Sequence, residues 1–153
     1  MPDAQTIGKE HVRGRSLKGE VVVTRRARFN AAHRLHNPDK PESWNREQYG
    51  RCNNANWHGH NYTVEVSVIG EPDPETGYVI DLHYLKKLVN DVIVEKCDHK
   101  NLNLDVDFLE GIIPSTENLA VAFWRQLEPH VKQGRLYSVR LRETESNIVE
   151  FRG

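Results

Sequence analysis

Over residues 58–70 the chain alternates, with His60, Tyr62, Val64, Val66 and Val68 on one side of an extended strand and His58 on the same side. An earlier stretch, "VVVTRRARFNAAH" from Val21 to His33, opens on β-branched residues and reads as a partner strand. After the turn cluster "EPDPETG", Asp81 is placed to cap a helix whose stripe is Leu82, Leu85, Leu88, Val89, Val92 and Ile93. A second helix starts near Pro114, Ser115 and Thr116, carries Leu119, Phe123, Leu127 and Val131 at helical spacing, and stops at Gly134. "RLYSVRLRETESNIVEFRG" then gives two alternating strands around a polar turn at Ser146 and Asn147. The predicted order is strand, strand, helix, helix, strand, strand. It implies an α+β domain in which a four-stranded antiparallel sheet carries both helices on one face. Between the first two strands, Arg34 to Asn56 form a connection of about 20 residues, the length at which a loop tends to be functional.

Composition narrows the classes. The 153 residues fit one domain, 37% of them are apolar, and the formal net charge of −1 leaves no basic footprint for nucleic acid. No apolar run approaches the ~20 residues of a membrane span, and "MPDAQTIGKEHVRGRS" lacks the apolar centre of a secretory signal. A cytoplasmic protein is expected, with positions 1–19 a loosely ordered polar tail and 20–153 the single domain. Cys52 and Cys97 are two cysteines in a long chain and are expected as thiols, not as a disulfide framework.

The chemistry concentrates in "RCNNANWHGHNY". His58 and His60, at i and i+2, project from one face of a strand, and His33 at the end of the neighbouring strand is a natural third imidazole for zinc. An HxH pair alone is more often a pair of ordinary strand residues. His11, His36, His83 and His130 have no partner at ligand spacing. Cys97 reads as a small buried apolar residue.

Five segments in order, "RFNAAHRL", "CNNANWHGHNY", "CDHKNLN", "STENLAV" and "ETESNIVEF", resemble the 6-pyruvoyl-tetrahydropterin synthase family across residues 21 to 153, within the wider group that includes the 6-carboxy-tetrahydropterin synthases. The resemblance implies a T-fold, with His33, His58 and His60 as ligands of a catalytic zinc. It implies Cys52 as the base, Asp98 and His99 as its relay, and Glu143 as the anchor of the pterin ring. Thr116 and Glu117 match a motif lining the pterin pocket, although capping of the second helix explains them equally well. Five residues separate Cys52 from the HGH motif, as in the pyruvoyl-forming enzymes; three would resemble the 6-carboxy-forming enzymes of deazapurine biosynthesis. A glutamate in place of Cys52 would resemble a third group that cleaves dihydroneopterin-type side chains. Trp57 departs from the glycine expected before HGH in animal members, so the bulk beside the metal differs.

The implied reaction is loss of triphosphate from 7,8-dihydroneopterin triphosphate with internal redox, giving 6-pyruvoyl-tetrahydropterin for tetrahydrobiopterin biosynthesis and needing no nicotinamide or flavin. Zinc is the implied cofactor, with magnesium on the triphosphate a further candidate. The implied assembly is a homohexamer, two stacked trimers joined through their sheets, with active sites at subunit boundaries. The alternatives are a 6-carboxy-tetrahydropterin synthase and a non-catalytic pterin- or metal-binding module.

Overall fold

The structure, a computed structural model, describes residues 17–153. Positions 1–16 of the expected tail lie outside the described residues.

Two long strands form the frame. β1 (Val21–His33) and β2 (His58–Gly70) pair antiparallel along their whole length, from Val21 opposite Gly70 to His33 opposite His58. β4 (Arg135–Arg142) pairs with the other edge of β2 and β5 (Ile148–Phe151) with β4. These are the four strands anticipated from the alternation.

A fifth strand corrects that expectation. β3 (Lys100–Asn101) lies parallel to β1 at Ala31 and Ala32, so the sheet order is β3-β1-β2-β4-β5 and the sheet is mixed rather than wholly antiparallel. Two residues in the polar stretch "DHKNLN" carry no alternation to read. What makes them a strand is backbone pairing: the N–H groups of His99 and Leu102 donate to the carbonyls of Asn30 and Ala32 at 2.6 and 2.8 Å.

The helices cover one face. α2 (Leu82–Val89) is capped by Asp81, whose carboxylate accepts from the N–H of His83 at 2.8 Å, and it continues through a π turn (Asn90–Val94) into α3 (Glu95–Cys97). Leu85, Leu88, Val89 and Ile93 are buried as predicted, whereas Leu82, counted in the same stripe, is 58% exposed at the first turn. α4 (Thr116–Leu127) buries Leu119, Phe123 and Leu127. It ends at Leu127 and not at Gly134, because Pro129 lies in the 3-10 turn Glu128–His130 and cannot continue the α-helical hydrogen bonds. Gly134 instead makes the entry to β4 at φ 66°, where a Cβ would stand 2.8 Å from the carbonyl oxygen of Ile69.

Both helical stripes share one apolar cluster with Phe29, Tyr62, Val64, Val66 and Val68 of the sheet. Phe29 stacks on Tyr62 at 4.9 Å between centroids, and Phe123 meets Phe29 edge-on. Each such fully buried side chain contributes about 1.5–3 kcal/mol by leaving water. On the opposite face Glu65 faces three arginines, bonding Arg26 at 2.7 Å and lying 3.8 and 4.0 Å from Arg140 and Arg142.

The long connection is not a bare loop. It contains α1 (Glu42–Tyr49) and a 3-10 turn (Gly50–Asn53). The organising residue is Asn45, fully buried: its Oδ1 accepts from the N–H of Asn37 at 2.7 Å, and its Nδ2 donates to the carbonyls of Asn37, Lys40 and Pro41. A segment ordered by one satisfied polar side chain leaves no hydrophobic period in the sequence. The predicted order ββααββ therefore becomes β1-α1-β2-α2-α3-β3-α4-β4-β5.

Candidate metal centre

The antiparallel register sets the site. His33 lies directly opposite His58, and Ala31 opposite His60, so the three imidazoles occupy the end of the face that further along holds Tyr62, Val64 and Val66. They continue the core at its rim. Their ring centroids are 4.5, 5.1 and 4.9 Å apart, and one ligating nitrogen from each lies within 4.8 Å of the others.

Their hydrogen bonding is that of metal ligands. His33 is fully buried, and its Nδ1 stands 2.8 Å from the carbonyl oxygen of Pro114, which can only accept; the proton is therefore on Nδ1 and Nε2 keeps its lone pair. Nδ1 and Nε2 of His58 and Nε2 of His60 are buried with no hydrogen-bond partner. Buried polar atoms are normally satisfied, and these orphans leave His58 and His60 each with a nitrogen free to offer a lone pair to a cation. Burial holds His33 and His58 below the usual imidazole range, and the neighbouring imidazoles push the same way against the Glu143 carboxylate. Neutral rings are the form that binds a metal.

Glu143, expected within a strand, is the first residue past β4. Its Oε1 is 3.4 Å from Nε2 of His33 and 3.5 Å from Nε2 of His60, which places a carboxylate against the cluster. Tyr62, on the same side of β2 as His58 and His60, has its hydroxyl 3.3 Å from Nδ1 of His33. Burial raises its pKa far above the ordinary phenol range, so it stays protonated. Its place two residues after His60, on the same face, was the available signal.

Cys52 is half-buried on the 3-10 turn, and its carbonyl accepts from the N–H of Leu35, two residues past His33. Asn53 reinforces this junction by donating to the carbonyl of Leu35 at 2.8 Å. The turn carrying the thiol is thus fastened to the end of the strand carrying His33. Cys97 is fully buried among apolar side chains, as anticipated.

Asp98 and His99 are brought to each other but not to the imidazoles. Asp98 Oδ2 meets Nδ1 of His99 at 2.9 Å, and Oδ1 accepts from the N–H of Asn30 at 2.8 Å. The side chain of His99 is 82% exposed, beside the outer edge of β1. Among the described residues no polar contact links either group to Cys52 or to the three histidines. At the start of α4 the cap is Ser115, whose hydroxyl accepts from the N–H of Asn118. Thr116 is buried and Glu117 exposed in the first turn.

The profile of the family described as 6-pyruvoyl tetrahydropterin synthase matches residues 22–153. The chain belongs to this family. It is 42% identical over 140 residues to the 6-pyruvoyl tetrahydrobiopterin synthase of Homo sapiens, covering 92% of this chain and 97% of that protein. It is 44% identical over 134 residues to the synthase of the same name from Drosophila melanogaster, covering 87% and 80%. The solved structure of Caenorhabditis elegans 6-pyruvoyl tetrahydropterin synthase superposes with a TM-score of 0.84 at 39% identity, covering 88% of this chain and 96% of that one. Among the described residues no helix is long and apolar enough to cross a membrane.

Proposed function

We propose that this protein is a zinc-dependent 6-pyruvoyl-tetrahydropterin synthase, a carbon–oxygen lyase that eliminates triphosphate from 7,8-dihydroneopterin triphosphate. The observation that carries the reading is the trio of inward-facing imidazoles with orphaned nitrogens, with the turn that carries the free Cys52 fastened just past His33, in a chain of this family.

His33, His58 and His60 would hold the ion. When bound, zinc acts as a Lewis acid toward the hydroxyl oxygens of the substrate side chain and makes the adjacent C–H bonds more acidic. Cys52 collects the proton as thiolate; a free thiol is only a few per cent ionised at neutral pH, so a neighbouring positive charge favours the reactive form. Glu143 accepts two N–H bonds from the 2-amino-4-oxo edge of the pterin, the inverse of an arginine fork. The reaction is redox-neutral overall: oxidation of the two side-chain carbinols to ketones is matched by reduction of the ring to the tetrahydro level and by loss of triphosphate, which leaves the terminal carbon as a methyl.

Asp98 and His99 act as the proton relay from across a boundary between copies of the chain. Their exposure on the edge of β1, away from their own copy's imidazoles, supports this, as do Val21 and Val22, 48% and 44% exposed near the start of that strand. A homohexamer of stacked trimers supplies such boundaries. Thr116 and Glu117 are assigned to the wall of the pterin pocket, and magnesium to the triphosphate. The reaction belongs in the cytoplasm, where Cys52 and Cys97 persist as thiols.

Incubation of the zinc-loaded protein with dihydroneopterin triphosphate tests the proposal, with the pterin product identified by mass spectrometry. The expected product is 6-pyruvoyl-tetrahydropterin with one triphosphate released. A 6-carboxy product with acetaldehyde would assign the chain to the deazapurine branch, and no turnover would leave a binding module.

A further inference from the structure

A hollow of about 380 Å³ opens beside the turn that carries Cys52, lined by Arg34, Arg46 and Arg51 with Glu42 as its acidic residue. Among the described residues none of the three guanidinium groups has a carboxylate within 4.0 Å, although the chain holds 22 acidic residues. Arg34 is fixed: its Nε donates to the carbonyl of Asn53 at 2.9 Å, and its backbone N–H and carbonyl both bond the amide of Asn103. Arg51 immediately precedes Cys52, and Arg34 immediately follows His33. Unpaired guanidinium groups around a concavity are the arrangement that binds phosphate oxygens in bidentate fashion.

The backbone supplies the second argument. Arg34 directly follows His33, its Nε bonds the carbonyl of Asn53, and the carbonyl of Cys52 accepts from the N–H of Leu35, so the turn that carries Cys52 is fastened to the end of β1 and forms part of the wall of the hollow. The substrate proposed above carries its triphosphate at the end of the side chain away from the pterin ring.

We infer that the Arg34–Arg46–Arg51 hollow is the triphosphate subsite. It holds the anionic tail while the side-chain carbons lie over the imidazoles, and it keeps a cationic partner beside the leaving group as the carbon–oxygen bond breaks. This assignment rests on the proposed substrate, but its test separates the two.

The experiment is calorimetric titration of the zinc-loaded full-length protein with inorganic triphosphate at low ionic strength, beside steady-state kinetics with dihydroneopterin triphosphate. Arg46→Gln/Arg51→Gln is the test variant, since both side chains are exposed and, unlike that of Arg34, neither hydrogen-bonds the backbone of the Cys52 turn. Arg125→Gln, exposed in the last turn of α4, is the control. The double variant is expected to weaken triphosphate binding at least about tenfold and to lower kcat/KM similarly, with unchanged zinc content. Wild-type affinity and kinetics in the double variant would overturn the subsite, as would absence of triphosphate binding by the wild type or loss of binding in Arg125→Gln alone. Wild-type protein that binds triphosphate through these arginines but leaves the pterin unconverted would uphold the subsite and refute the proposed reaction.

Discussion

The Nδ1–H of His33 donates to the carbonyl of Pro114 at 2.8 Å, tying the end of β1 to the entry of α4 across 81 residues of sequence. A backbone acceptor of this kind fixes ring orientation and tautomer together. The orientation of one of the three imidazoles is therefore set by the fold. His58 has neither nitrogen engaged, so its position follows from the strand alone.

That difference shapes the first prediction. His58→Ala removes a ligand without cutting the His33–Pro114 link, so folding is expected to persist while zinc content falls to near zero. Metal analysis of the purified variant beside its circular dichroism spectrum decides the matter. A folded, fully loaded variant would take His58 out of the ligand set.

The two thiols should behave differently. Burial pushes Cys97 up to about 12, leaving it almost wholly protonated at pH 8.5, whereas Cys52 is half-buried on a turn. Iodoacetamide at that pH is expected to label Cys52 in the native protein and Cys97 only after denaturation, as read by peptide mass spectrometry. Cys52→Ala should keep its zinc and fold but lose at least about a hundredfold in turnover, the scale of a missing general base. Undiminished turnover in that variant would end the role given to Cys52.

Asp98 provides a pH-dependent test. The N–H of Asn30 first, and then His99, hold its carboxyl below the usual aspartate range. A folded pKa below the unfolded value means stability that is fully present above about pH 4 and is lost as pH falls through the lower folded value. Asp98→Asn should therefore unfold at lower urea than wild type at pH 7, with the gap closing below pH 4. A gap of the same size at pH 3 would show that the carboxylate charge is irrelevant to this edge of the sheet. The site is largely exposed, so the effect is small and shrinks with added salt.

How much of this was written in the sequence depends on what orders each piece. β1 and β2 were legible because one face is buried, and a period of two cannot drift without turning Val64 and Val66 outward. The same period put His58 and His60 on the core side. Their meeting with His33 depended on register, which the sequence only suggested. α1 was invisible because Asn45, a polar residue bonded to four backbone groups, organises it in place of an apolar stripe. β3 was invisible because two residues define no period. Asp98 and His99 look like site residues in sequence, yet the backbone of Asn30 holds them at the start of β3, where neither makes a polar contact with the three imidazoles among the described residues.

Trp57 is the last point at which sequence and backbone pull apart. It takes φ 69°, at the end of a turn in which its N–H donates to the carbonyl of Asn54 at 3.0 Å, and it directly precedes His58. A residue with a Cβ pays about 1–2 kcal/mol for this left-handed conformation, and glycine does not. Trp57→Gly and Trp57→Ala both remove the half-buried indole, but only glycine relieves the strain. The glycine variant is therefore expected to be more stable than the alanine variant by about 1 kcal/mol in urea unfolding, after allowing for its larger entropy loss on folding. Both should retain zinc, because the backbone pairing of His58 with His33 does not involve the indole. Equal stability, or an advantage for alanine, would show that the turn before His58 relaxes out of the left-handed region once the tryptophan is gone.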